Sequence, residues 1–462
     1  MRPNKPRGFI KSASLAFLAV AMISGSAKAL DQRQTRHLTD SLATVYESAG
    51  HAPGRFAPDA RLKDYLVYAA KQSPALKAAF YQWKSVVERS GYAGTLPDPV
   101  FTYTYFIENV ETRVGPQNQR FKLMQTFPWF GTLSARKDVT LEAANAAYQA
   151  FRSEKLKLFY QVKSAYYDFY FLGRDIAITK ENLELLKFWE SVARAKYRVA
   201  LKQHPDVIKA QVELVKLEDR LHTAEDMMEP VMAKLRAVTN LPDSVQLPVP
   251  TNIEVVETAV DRDSIVTAAL ANNPDLKSLL SIIDKTTAAK RLASKMSYPN
   301  FTIGVDYIET GEARGPGVLD SGEDAWMASV GVSLPIWFGA NQSRKKEAEA
   351  QYRKARNDYA NAQNHLKALT EKIVFEYEDA LRKTRLYRDG LIPKAEQSLN
   401  TSYTSYQAGE ADFLSVLDAQ RQLLDFQLEY ERAKSDLAVS RAEIEMVIGR
   451  GLTGTPIEGF ER

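Results

Sequence analysis

The stretch YAAKQSPALK (68–77) returns 200 residues later as AALANNPDLK (268–277), and this repetition decides the fold. Further matches follow in the same order along the chain: Phe101 with Phe301, FPWFG (127–131) with LPIWFG (334–339), and Tyr197 with Tyr406. A fixed order of matches over such a length indicates an internal duplication. We therefore interpret the chain as a first structural repeat at 30–251 and a second at 252–462, joined at the Pro-rich stretch 241–251.

Each repeat has the same predicted plan, in which a helix is followed by a β-like excursion, a very long helix and a return helix. The helices are predicted at 61–95, 132–203 and 206–239 in the first repeat, and at 262–297, 341–407 and 411–448 in the second. Gly173, Gly390 and Pro393 are the predicted interruptions of the long helices. About 70 helical residues reach roughly 100 Å, which is longer than a compact domain requires.

The return helices carry apolar residues at alternating spacings of three and four. These residues are Val207, Ala210, Leu214, Leu217, Leu221 and Ala224 in the first repeat, and Val416, Ala419, Leu423, Phe426, Tyr430 and Ala433 in the second. A period near 3.5 residues is typical of a coiled coil. Short breaks containing Pro205 and Gly409 fold each long helix back on its return helix. The predicted fold is mainly α, with duplicated long helical hairpins.

The two excursions change to an alternating period, which is typical of β-strands. In 100–108 and 300–308, aromatic and aliphatic residues alternate with smaller or polar ones. We expect hairpins at about 99–128 and 299–335, with loops at 109–119 and 310–324. One apolar face and one polar face fit the strands of a membrane barrel. They also fit a soluble hairpin that packs on a core, and the spacing does not separate the two.

Aromatic residues at the strand ends favour the membrane barrel. They are Trp129, Phe130, Trp337 and Phe338, and such clusters form girdles at lipid interfaces. Membrane barrels have about eight strands or more, whereas this chain offers four. Because strands in lipid leave no open edge, a barrel requires several chains.

The first residues predict export. Residues 1–29 combine five cations and no acid with an apolar run at 13–23 and the small-residue pattern at 27–29, which together predict a signal peptide. Without these residues the formal net charge falls from +4 to −1, which removes the electrostatic reason for a nucleic-acid partner. The chain has no cysteine, which excludes disulfides, thiolate metal sites and an acylated N-terminal Cys.

Motifs of enzymatic chemistry are missing from the sequence. The five histidines have no metal-binding spacing. No P-loop, nucleophile elbow or dinucleotide-binding segment has the strand and helix context that it needs. We predict no metal site, no cofactor and no enzymatic activity.

Two motifs resemble a known family. YQAGEADFLSVLDAQRQLL (406–424) is similar to the second helical hairpin of TolC-type outer-membrane efflux ducts, and QTFPWFG (125–131) resembles the point where their barrel strand re-enters the helical tunnel. The resemblance implies a homotrimer with an α-helical tunnel below a shared 12-stranded barrel, four strands coming from each protomer. It implies an outer-membrane location in contact with lipid, a long periplasmic portion, and a periplasmic adaptor protein and an inner-membrane pump as partners.

The resemblance also implies a gate at the tips of the hairpins. Asp418 matches an aspartate of a lumen-facing ring, Tyr406 matches a gate tyrosine, and Asp206 matches the aspartate that holds this tyrosine. Ser415 and Ala411 replace a second ring aspartate and a gate arginine of the family. From the residues alone, Asp418 lies between two seam positions, so it avoids the coiled-coil core. That position fits an ordinary solvated carboxylate as well as a lumen residue.

The exposed tip turns are the predicted docking surface for the adaptor: Lys202, His204, Pro205, Gly409 and Glu410. The expected function is an exit duct of a tripartite efflux system, which passively conducts small substrates such as metal ions or drugs. Two alternatives are a soluble periplasmic coiled-coil adaptor or chaperone, and the exit duct of a type I protein secretion system. A weak likeness in 125–131 favours the metal-efflux branch of the family.

Overall fold

The computed structural model describes residues 32–47, 60–198 and 204–452. The predicted signal peptide and Lys202 lie outside these residues. The first repeat contains α1 (Gln32–Glu47), α2 (Leu62–Gln72), α3 (Pro74–Tyr92), β1 (Val100–Thr112), β2 (Gly115–Phe127), α4 (Thr132–Arg198), α5 (His204–Asp226) and α6 (Met228–Thr239).

The second repeat follows the same order of elements, beginning at the counterpart of α2. It contains α7 (Arg262–Asn272), α8 (Pro274–Lys295), β3 (Phe301–Thr310), β4 (Ala325–Val332), α9 (Phe338–Arg385), a π-helical segment (Leu386–Leu391), α10 (Ile392–Ala408) and α11 (Phe413–Ile448). The predicted fold class, mainly helical with a small β portion, is confirmed.

Two predicted helices, 61–95 and 262–297, are each split in two, so those predictions are wrong. The breaks fall at Ser73 and Asn273, whose ψ angles of 119° and 125° leave the helical region. A residue before proline is driven out of the helical conformation by the proline ring, and Pro74 and Pro274 follow these two positions. The Asn273 side chain then accepts hydrogen bonds from the first backbone N–H groups of α8, which starts the next helix.

The long helices depart from the prediction at one glycine and agree with it at another. Helix α4 passes through Gly173 without a break. A Cβ atom there would lie 2.3 Å from Cγ1 of Val249, so this glycine admits the linker rather than interrupting the helix. Near Gly390 the α-helix is interrupted as predicted, because the chain forms the π-helical segment there. The return helix at 206–239 is interrupted at Met227, since Pro230 supplies no N–H to the preceding turn.

The four strands form one antiparallel sheet in the order β1-β2-β3-β4. The predicted loop at 109–119 is wrong, because pairing continues to Thr112 opposite Gly115 and leaves a two-residue turn. The loop after β3 runs to residue 324, as predicted. The central pair, β2 with β3, joins the two repeats, while β1 and β4 are the open edges of the sheet.

The two faces of the sheet differ in character. One face exposes aromatic and aliphatic side chains from all four strands: Phe101, Tyr103, Tyr105, Leu123, Ile303, Val305, Trp326 and Val330. The other face carries small and polar residues, among them the buried Asp306, which accepts a hydrogen bond of 2.7 Å from Nε of Arg120. The sheet is therefore apolar on an uncovered side and polar on the other.

The long helices form a layer that continues from the sheet. Next to the sheet, α3, α4, α8 and α9 contact one another in that order, and farther away the order is α5, α4, α11 and α10. Helix α4 belongs to both sets of helices because its 67 residues reach about 100 Å. Within the described ranges, no helix has an apolar run long enough to cross a membrane.

Candidate functional site

The tips of the two hairpins pack against each other through a buried apolar cluster. Leu186, Trp189 and Val207 come from the first hairpin, and Tyr406 and Phe413 come from the second. The rings of Tyr406 and Phe413 are 5.2 Å apart. The cluster includes residues from the first turns of α5 and α11 and from the last turn of α10. It therefore holds the two tips side by side.

Tyr406 and Asp206, the two predicted gate partners, are neighbours at this tip. Both side chains are buried. Burial, together with the nearby carboxylates of Asp206 and Asp412, raises the pKa of Tyr406 to about 12. The phenol is therefore protonated at neutral pH and has a proton to donate.

Asp418, the third predicted gate residue, lies on α11 with 60% of its side chain exposed. Its Oδ1 atom is 3.2 Å from Nη1 of Arg421, one turn along the same helix. Arg421 also donates from Nε to Oε2 of Glu213 on α5, at 2.9 Å. This hydrogen bond lowers the pKa of Glu213 below its ordinary value. Arg421 thus partly neutralises Asp418 and links the two hairpins.

Asp418 begins a row of acidic residues on α11, which we name the acidic stripe: Asp418, Asp425, Glu429, Asp436 and Glu443. Intervals of seven and four residues place these side chains on one face of the helix. The connection between α6 and α7, which includes the linker, contacts the opposite face. There Lys434 Nζ is 3.1 Å from Oδ1 of Asn252, and Arg441 donates to the carbonyl of Val256. The stripe therefore points away from the linker.

Part of the acidic stripe lies in a low-dielectric setting. Burial raises the pKa of Asp436. Burial also raises the pKa of Glu443, and the neighbouring carboxylate of Glu376 adds to this effect. Like charges brought together without full neutralisation attract cations.

The predicted docking residues lie at the turns. Pro205 is exposed in the first turn of α5. Gly409 ends α10 with φ of 86°, a left-handed conformation that favours glycine, and Glu410 beside it is exposed. His204 begins α5. Among the described residues, no three His, Asp or Glu side chains are arranged to hold a metal ion.

Known proteins share both the sequence pattern and the fold. The family model described as outer membrane efflux protein matches residues 265–450. The second repeat of the chain thus matches the outer membrane efflux protein family. It is 21% identical to nodulation protein T of Rhizobium leguminosarum bv. trifolii, over 70% of this chain and 69% of that protein. It is 25% identical to the cobalt-zinc-cadmium resistance protein CzcC of Cupriavidus metallidurans, over 39% of this chain and 41% of that protein.

A solved structure extends the likeness to most of the efflux protein. The outer membrane protein VceC of Vibrio cholerae superimposes with a TM-score of 0.65 at 18% identity, covering 84% of this chain and 96% of VceC. The predicted resemblance is thereby confirmed. The efflux protein is an outer-membrane exit duct, and its family consists of ducts rather than enzymes. The alternative of a soluble periplasmic adaptor or chaperone does not agree with this match.

The aromatic residues at the strand ends of the efflux protein fall into two groups. Phe130, Trp337 and Phe338 are exposed. Trp129 is half-buried and stacks on Tyr298 at 5.0 Å. Trp129 thus fixes the end of β2 to the segment that follows α8, and the place of these residues in a lipid girdle stays a prediction.

The sequence reasoning missed several residues of the efflux protein's tip. The bridge from Arg421 to Glu213 joins positions 208 residues apart, and no local pattern indicates such a contact. The rest of the acidic stripe was predictable from the sequence, because its members keep heptad-like intervals on the side of α11 away from the seam.

Proposed function

We propose that this efflux protein acts as a homotrimer, joined to a periplasmic adaptor protein and an inner-membrane pump. The observation that carries the proposal is the open sheet. Its strands have 13, 13, 10 and 8 residues, and tilted strands of about 9 to 11 residues cross a bilayer. Three copies supply twelve strands, which is enough to close a barrel with its apolar face toward lipid.

The edges of the helical layer also favour a second copy as neighbour. Helix α5 forms one edge far from the sheet, and it exposes Ile208, Val212 and Val215 at spacings of four and three. These residues form an apolar stripe on one helix face. Helix α10 forms the other edge of the same layer. Closing a ring of three copies brings α5 of one protomer to α10 of the next, and this contact covers the stripe.

The direction of the acidic stripe supports a role in conduction. The linker covers one side of α11, so the stripe takes the other side, which faces the axis when the layer closes with the linker outside. Three stripes then line the tunnel, with Asp418 nearest the tips. We infer that Asp418, Asp206 and Tyr406 belong to the constriction there, and that the tunnel favours cations.

Asp418→Ala is expected to lower the cation selectivity of the channel in a planar bilayer, because it removes three charges from the narrowest part of the tunnel. The measurement is the reversal potential in a salt gradient at neutral pH. Glu184→Ala, an exposed carboxylate of α4 that pairs with Lys187 on its own helix, is the matched control and should leave the selectivity unchanged. Equal reversal potentials for wild type and Asp418→Ala would show that Asp418 does not line the constriction.

The substrate class follows in part from the charge of the tunnel. An acidic lumen suits metal cations and cationic drugs better than anions. The name of CzcC assigns resistance to cobalt, zinc and cadmium to that protein, and we propose the metal cations as the first class to test. Metal and drug sensitivity of a deletion strain distinguishes the two classes.

The turns at the tips are the proposed adaptor-docking surface, since they lie at the end of the layer farthest from the sheet. Because the chain has no cysteine, Glu410→Cys introduces one unique thiol for cross-linking. We expect the protein in the outer-membrane fraction, where it should migrate in gel electrophoresis as a trimer that heating dissociates. We also expect the thiol at position 410 to cross-link to a periplasmic protein. A monomer in the soluble periplasmic fraction would contradict the trimer and the duct together.

A further inference from the structure

Lys196, in the last turn of α4, reaches across to the end of α10 in the second hairpin. Its Nζ atom lies 2.8 Å from the carbonyl oxygen of Tyr406 and 3.1 Å from that of Gln407. The same atom lies 4.5 Å from the centroid of the Tyr406 ring. One ammonium group therefore contacts both the backbone and the side chain of the second hairpin's tip.

The chemistry of a helix end makes this contact favourable. The last carbonyls of a helix have no partner within the helix, and the end of the helix carries a partial negative charge that attracts a cation. In α10 the Gly409 N–H bonds back to Tyr406, and Lys196 supplies further donors from the other hairpin. The aromatic ring adds a cation–π contact.

Two other polar links between the hairpins, both among the described residues, are weaker or lie farther along the helices. Lys209 and Asp412 are 4.0 Å apart and largely exposed, so solvent screens their attraction. The Arg421 bridge lies two turns inside α11. Position 411, in the turn itself, is an alanine and brings no charge. Lys196 thus contacts the last turn of α10 directly, just before the turn that follows it.

We propose that Lys196 is a clasp that holds the second hairpin's tip against the first and keeps the end of the duct narrow. The proposal rests on the proposed function, in which the tips form the constriction. Gly409, in its left-handed conformation, ends α10 where the clasp binds. When the ammonium group leaves the two carbonyls, the end of α10 loses this polar contact with α4, and the turn at 409–412 moves outward more easily.

Single-channel recording of the full chain in planar bilayers tests the clasp. Lys196→Met keeps the length of the side chain but removes its charge and its donors. We expect the open probability of this variant to rise about tenfold, which corresponds to about 1.4 kcal/mol. Lys196→Arg keeps the charge and should stay close to wild type. Lys187→Met is the matched control, because Lys187 is an exposed lysine of α4 that pairs with Glu184 of its own helix.

The outcomes separate the clasp from the proposed function. If wild-type protein inserts as a trimer but conducts no ions, the proposed function fails. If wild type conducts, and Lys196→Met forms trimers with wild-type open probability, the clasp alone is overturned. Should Lys196→Met not assemble, Lys196→Ala takes its place, because alanine also removes the charge and the donors and favours the helix. An open probability of Lys196→Ala equal to that of wild type then overturns the clasp as well.

Discussion

Replacing Trp83 by alanine is expected to reduce the free energy of unfolding by about 3 to 5 kcal/mol. Trp83 is fully buried where α3 packs on α4. Its ring stacks on Phe151 at 5.7 Å and lies 4.9 Å from the ring of Tyr148. Alanine leaves a cavity among these rings, and a packed interior relaxes only partly around it.

Chemical denaturation of the detergent-solubilised protein, followed by circular dichroism, measures this loss. Tyr81→Ala is the control, since Tyr81 lies on the same helix but is exposed. Trp83→Phe should lose much less stability, because it keeps an aromatic ring and deletes an indole N–H that has no acceptor among the described residues. A Trp83→Ala protein within about 1 kcal/mol of wild type would show that this core is not tightly packed.

Lys163→Met is expected to cost about 3 to 5 kcal/mol for a different reason. Lys163 on α4 and Glu445 on α11 are 2.7 Å apart, with only 9% and 10% of their side chains exposed. Removing the lysine leaves a buried carboxylate whose remaining cation, Arg441, is 3.5 Å away. A buried charge that loses its partner keeps its desolvation cost without the compensating attraction.

The double variant Lys163→Met with Glu445→Leu distinguishes this account from simple packing. Because both charges are gone, we expect most of the stability to return, in the same denaturation experiment. A double variant as unstable as Lys163→Met alone would show that shape, rather than charge, determines the loss. The pair joins the two repeats, so the comparison also measures how firmly α4 and α11 are held together.

Patterns with a short period were predictable from the sequence. The seam residues Val416, Ala419 and Leu423 are buried as the heptad requires, and the alternation in 100–108 and 300–308 predicted β1 and β3. The breaks before Pro74 and Pro274 were also readable, because proline restricts the residue before it. They were missed because the apolar period continues across them.

Contacts between distant parts of the chain were not predictable in this way. Position 173 requires a glycine because Val249 packs against it, and Val249 reaches this position only when the linker packs on α4. The pairing of Thr112 with Gly115 is hidden in a polar segment that resembles a loop. Lys196 shows the same limit, since nothing around position 196 indicates the helix end that it binds. Local patterns specify elements, whereas these partners are specified by the tertiary fold.

The pairing of β2 with β3 has a consequence for the order of folding. Residue 117 pairs with residue 310, so the centre of the sheet closes a loop of nearly two hundred residues, and contacts of such sequence separation form slowly. The helical hairpins rest on local contacts and are able to form first. Until the second half of the chain has crossed into the same compartment, β2 keeps an unpaired edge that is prone to aggregate. Insertion into the membrane is therefore a late event, which waits for the complete chain.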